Sequence, residues 1–193
     1  MTFRAADMEE NKQGWFQFST RDLVVMGFLV AASGVFTTIW AHLVFQVGIL
    51  GPVAGLFTSL GFFVWGFVTV YLVRVPGAAT VVKTLGAFVE LMLGSPFGLL
   101  AVVLGALNGL AVDISWLIFR RRISPNMTIV GCLLAMVLTS PVDIYSNAIP
   151  VTWVAIATYY TPVATGRVLA GWLIYLVIAA LARANIGAHA DHG

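Results

Sequence analysis

From Leu23 to Val73 the chain contains no Asp, Glu, Lys or Arg. Such a stretch is long enough for two bilayer-crossing helices of about 20 residues joined by a turn, and Gly48, Gly51 and Pro52 supply the turn. The rest of the chain has the same character: 60% of its 193 residues are hydrophobic and 9% charged, with a mean hydropathy of +0.97. That is the composition of an all-α integral membrane protein embedded in the lipid bilayer.

Breaks at Pro76-Gly77, at Gly94-Ser95-Pro96, at Arg120-Arg121-Arg122 with Pro125, and between Asn147 and Pro162 divide the remainder into further spans. Six transmembrane helices are expected, over Asp22 to Gln46, Pro52 to Val73, Pro76 to Leu93, Phe97 to Phe119, Pro125 to Asn147 and Pro162 to Arg183. They form one domain over residues 22–184, between an interfacial segment at 1–21 and a tail at 185–193. The first segment lacks the basic-then-apolar pattern of a signal peptide, so the first span is expected to be kept as a mature helix. Trp15, Phe16 and Phe18 are expected at the interface. Short cytoplasmic loops collect Lys and Arg. Here Arg4, Lys12, Arg21, Arg74, Arg120 to Arg122 and Arg183 all fall on one side, and the other connections carry no charge. Both termini are therefore expected in the cytoplasm. The net charge of +2 reflects this topology and not affinity for nucleic acid.

Charged groups at membrane depth cost at least about 2.5 kcal/mol and persist only where a partner, water or a ligand compensates them. Glu90 lies one turn from the outer end of the third span, Asp143 one turn from that of the fifth, Arg167 just over a turn into the sixth, and His42 one turn from the end of the first. Helical spacing aligns Ser140, Asp143 and Asn147; Thr38, His42 and Gln46; and Lys83, Ala87, Glu90 and Gly94. These stripes predict a polar chamber opening outward. Tyr145 belongs to the candidate set beside Asp143. A structural Asp143–Arg167 pair and a backbone-bonded His42 are the alternative. Lys83 and Asp113 lie lower, about 10 Å from the cytoplasmic ends of their helices, and are expected to snorkel or to pair with each other.

The uncharged connection from Ala148 to Thr161 holds Trp153, Tyr159 and Tyr160 and could cap the chamber. A carboxylate with aromatic faces suits a cationic heteroaromatic ligand, while an interfacial aromatic belt accounts for the same residues without a ligand. Gly27, Ala31 and Gly34 form a small-residue stripe on the first span, suited to close approach of a helix within the chain or from another subunit. Cys132 reads as a small apolar packer. No phosphate-binding loop, metal-binding His or Cys spacing, or nucleophile elbow is present, Ser95 lying in LGSPFG. No enzyme activity, cofactor or metal is expected.

The stretch from Pro76 to Asp113 resembles the YkoE-type membrane subunits of energy-coupling factor (ECF) transporters. The resemblance rests on the Pro76-Gly77-Ala78-Ala79 helix start, Val89-Glu90, Leu93-Gly94 with Pro96 and Gly98, and Asn108-Gly109-Leu110 followed by Asp113. In two departures, Lys83 stands where the family pattern has a carboxylate and Asn108 where it has a glutamine. The resemblance implies an S component in the prokaryotic cell membrane, a six-helix bundle that captures thiamin or its hydroxymethylpyrimidine precursor. It further implies docking on a transmembrane T component driven by two ATPase subunits. On that reading Glu90 pairs with the aminopyrimidine; depth and facing add Asp143 and Asn147, and His42, Arg167, Trp153, Tyr145 and Asn108 complete the candidate set. Two other classes stay open: an ion-coupled transporter or proton channel relaying through Glu90, Asp143 and His42, and a structural subunit whose buried charges fix packing.

Overall fold

The structure is a computed structural model and describes residues 18–47, 52–146 and 152–184. The described residues form six helices: α1 (Thr20–Val47), α2 (Pro52–Val73), α3 (Ala78–Met92), α4 (Leu100–Ile118), α5 (Pro125–Ser146) and α6 (Trp153–Arg183). Five of them are long and apolar enough to cross a membrane. The exception is α3, at 15 residues, which rises only about 22 Å at the α-helical pitch. Of the expected terminal segments 1–21 and 185–193, residues 1–17 and all of the second lie outside the described residues, as do Trp15, Phe16, the Gly48 and Gly51 turn and Asn147.

Local chemistry explains the helix starts. Ser19 and Asp22 form a reciprocal capping box at α1, Asp22 N–H donating to Ser19 Oγ (3.1 Å) and Ser19 N–H to Asp22 Oδ2 (3.0 Å). Ser124 caps α5 by accepting from Met127 N–H (3.2 Å), with Pro125 in the first helical position, where its missing N–H costs nothing.

Neighbouring helices run around the bundle in the order α1, α3, α4, α5, α6, and α2 packs against all five. Its Phe63, Phe67 and Val70 anchor the main core with Val112 and Trp116 of α4, Cys132 and Ala135 of α5, and Ile174 and Ile178 of α6. A second cluster joins Met26 and Leu29 of α1 to Val73, Ala78 and Val82. Close helix crossings depend on glycine: a Cβ on Gly34 of α1 would lie 2.8 Å from the carbonyl oxygen of Gly86 in α3. A Cβ on Gly109 of α4 would lie 2.5 Å from Thr80 Cα. Small residues let membrane helices approach to backbone contact in this way.

The sixth helix corrects one expectation. The connection expected to cap the chamber from Ala148 to Thr161 is helical from Trp153 onward, and Pro162 lies inside α6. Proline is tolerated within membrane helices when the carbonyl it frees finds another partner. Pro141 of α5 shows this directly: Ser140 Oγ donates to the freed Val137 carbonyl (2.8 Å).

Candidate substrate-binding site

The buried face of α3 carries Lys83, Ala87 and Glu90 in one stripe, as their spacing predicts. Glu90 is only 4% exposed, so it does not face lipid. Its surroundings follow from how α3 ends. Gly94 adopts a left-handed conformation (φ 84°), Gly94 N–H donates to Leu91 O (3.1 Å) and Ser95 N–H to Glu90 O (3.1 Å). This double bond pattern is the Schellman C-cap. It folds the chain back so that Ser95 Oγ donates to Glu90 Oε1 at 2.8 Å. The second carboxylate oxygen has no hydrogen-bond partner among the described residues. Two residues on, Phe97 meets Phe62 of α2 edge-on, ring centroids 6.1 Å apart.

Lys83 is 5% exposed, and its ammonium forms neither a hydrogen bond nor an ion pair among the described residues. It lies within electrostatic reach of Glu90. Its stem passes Gly66 of α2, where an added Cβ would lie 3.6 Å from Lys83 Cγ. Asn108 of α4 sits at the same height. Gly105 packs on Ala87 and the Lys83 carbonyl while Gly109 packs on Ala79 and Thr80, which brackets Asn108 between them. Its buried Oδ1 has no hydrogen-bond partner.

The expected Lys83–Asp113 pair does not form. Asp113 Oδ2 instead accepts from the backbone N–H (2.8 Å) and the hydroxyl (2.6 Å) of Thr80. A carboxylate at the start of α3 satisfies an orphan N–H and the positive end of the helix dipole, which leaves Lys83 to the other direction.

A second polar cluster lies on α5 and α6. Arg167 is buried, donates to the Cys132 carbonyl (3.4 Å) and lies over the Phe63 ring, 5.2 Å from its centroid. Asp143 lies within electrostatic reach of Arg167 and accepts from Thr139 Oγ1 (3.2 Å). Tyr160 donates to the Ser140 carbonyl (3.1 Å) and packs edge-on against Tyr159. Cys132 is fully buried in the main core, as a small apolar packer.

The other candidates fall elsewhere. His42 is exposed on α1, although Thr38 one turn earlier is buried and donates to the Gly34 carbonyl (2.8 Å). Tyr145 is 87% and Trp153 89% exposed, positions typical of an interfacial belt. The small-residue stripe divides: Gly34 packs against Gly86 and Val89 of α3, while Gly27 and Ala31 face outward. No hydrogen bond links Glu90, Asp143 and His42 in a relay among the described residues.

A family described as the permease component of an ABC-type cobalt transport system matches residues 21–140. The chain belongs to this permease family. The chain is a multi-pass protein of the prokaryotic cytoplasmic membrane. It is 28% identical over 106 residues to the putative HMP/thiamine permease protein YkoE of Bacillus subtilis (strain 168), a match covering 54% of this chain and 53% of that protein. It thus spans about half the length of that curated relative. Its fold is that of an S component of an ECF transporter: a crystal structure so described superposes with a TM-score of 0.72 over 88% of each chain, at 23% identity.

Sequence reasoning passed over two groups in this permease. Ser95 was set aside for want of a nucleophile elbow, yet Gly94 followed by Ser95 at five residues from Glu90 is the signal of a Schellman turn that returns the hydroxyl to the carboxylate. Ser59 of α2 is fully buried with an unpartnered hydroxyl, on the stripe of Phe63 and Gly66. Its sequence signal was no more than a serine in an apolar helix.

Proposed function

We propose that the permease is the substrate-binding S component of an ECF-type ABC importer. It captures thiamin or its hydroxymethylpyrimidine precursor from outside, then docks on a T component driven by two ATPase subunits. One observation carries the ligand class: a buried carboxylate, Glu90, held by Ser95 through one oxygen and unpartnered at the other. A carboxylate in a largely buried setting with one oxygen unbonded is a strong partner for an amine or a cation. Ser95 fixes the carboxylate's orientation in advance, which lowers the ordering cost of binding. Phe97, two residues beyond Ser95, packs edge-on with Phe62 and offers apolar ring surface for a heteroaromatic ligand.

The name of the Bacillus subtilis relative supports the pyrimidine-type ligand. The family description names cobalt, and the local chemistry favours an organic amine over a bare divalent cation. Lys83 places a positive charge within reach of Glu90, and among the described residues no three His, Cys, Asp or Glu side chains gather as metal donors.

Tryptophan-fluorescence titration of the purified protein in detergent with thiamin and hydroxymethylpyrimidine tests the reading. Saturable binding of at least one is expected, and Glu90→Gln weakens it. Absence of binding by the wild type, or wild-type affinity in Glu90→Gln, overturns it.

A further inference from the structure

Two buried groups of opposite charge occupy one face of α3 and neither is consumed by the fold. Glu90 has an oxygen without a partner, and Lys83 makes no hydrogen bond or ion pair among the described residues. They stand seven residues apart, about 10 Å of helical rise. Between them α3 itself contributes only Gly86 and Ala87, which receive Ser33 of α1 and Gly105 of α4 at the helix crossings. Asn108 adds an unpartnered buried amide oxygen at the Lys83 level. Burying an ammonium and an amide without partners costs several kcal/mol in ordinary protein interiors. Asp113, the one carboxylate that could have neutralised Lys83 from α4, is committed to Thr80. Lys83, the lower pole, is thus a donor without a bonded acceptor, as Glu90, the upper pole, is an acceptor with one oxygen free, while the Asn108 oxygen, itself an acceptor, is open only to a donor.

We propose that the ligand is dipolar and spans this interval, its amine on Glu90 and an anionic oxygen group, phosphate or carboxylate, on Lys83. The proposal rests on the S-component reading and narrows its ligand. A simple cation would place its charge near Lys83 with nothing to balance the ammonium. A ligand with both ends charged neutralises the two poles at once, and the same two groups then select against molecules that carry only one of them.

The test compares five probes on the purified protein by fluorescence titration. They are hydroxymethylpyrimidine, its phosphate monoester, the aminopyrimidine bearing a carboxylate in place of the hydroxymethyl group, and thiamin monophosphate against thiamin. The wild type is expected to bind at least one anionic probe about 10-fold or more tightly than its neutral parent, the increment of one charge-assisted hydrogen bond. Tighter binding of the phosphate or of the carboxylate identifies which anion the pole takes. Lys83→Met is expected to abolish that preference, and Lys83→Arg to retain most of it. Equal or weaker binding of both anions by the wild type overturns the proposal, whatever the variants do. So does a Lys83→Met protein that keeps the preference. If Glu90→Gln loses binding while Lys83→Met keeps the preference for the anionic probe, this inference falls and the S-component reading stands. If Glu90→Gln binds all probes as the wild type does, both fall.

Discussion

The α3–α4 face and the α5–α6 cluster contain the same ingredients, a carboxylate and a cation buried in an apolar bundle, and use them in opposite ways. Asp143 and Arg167 lie within reach of each other's charge, and Arg167 also has the Cys132 carbonyl and the Phe63 ring. Glu90 and Lys83 also feel each other's charge, and Arg167 too keeps a buried Nε without a partner, but Lys83 has no hydrogen bond among the described residues and Glu90 keeps one oxygen unbonded. A pair that neutralises itself fixes how helices pack. A cation left without a hydrogen bond beside a half-bonded carboxylate keeps binding capacity for something else.

The largest effect expected is on the self-neutralised side. Asp143→Asn leaves Arg167 buried without its counter-charge and is expected to destabilise the protein by about 3 kcal/mol, with ligand affinity changed less than about threefold. Thermal unfolding in detergent measures the first and titration the second. The double variant with Arg167→Met should recover most of the stability, since an apolar replacement of both partners removes the buried charge. A large loss of affinity in Asp143→Asn would break the comparison and move the ligand toward α5.

Glu90→Gln should do the reverse. A loss of about 100-fold in affinity, about 2.7 kcal/mol, is expected from removing a charged acceptor, with the melting temperature nearly unchanged. Gly94→Ala comes next: the left-handed conformation at φ 84° costs a residue with a Cβ about 1–2 kcal/mol. It should lower both stability and affinity, because the turn it strains delivers Ser95 to Glu90. Ser95→Ala is expected to weaken binding about threefold, from one neutral hydrogen bond of roughly 0.6 kcal/mol, with little effect on stability. The smallest change is predicted for His42→Ala: its exposed ring should alter affinity by less than about twofold, a surface substitution in effect. A tenfold loss there would show that the ligand face extends to α1.

Much of the fold was legible because a bilayer leaves few choices. An uncharged run from Leu23 to Val73 must become helices, and α2 begins and ends at the expected Pro52 and Val73. Proline misled at Pro162, where helix continued through a residue that sequence reads as a start. Of the site, Glu90 and its stripe with Lys83 were legible from helical spacing alone, since side chains seven residues apart share a face in any α-helix.

By itself, then, the amino-acid order determined the membrane setting, the helices and which residues on each helix share a face, because hydropathy and periodicity are local properties. Tertiary structure alone decided which buried charges meet. Lys83 was as free to pair with Asp113 as with a ligand until the Gly109–Thr80 crossing brought Asp113 to the start of α3. His42 and Thr38 share a stripe on α1, and only the placement of α3 buried one and left the other outside. Charge pairing depends on distances between helices, and those are set by the small residues that let backbones approach.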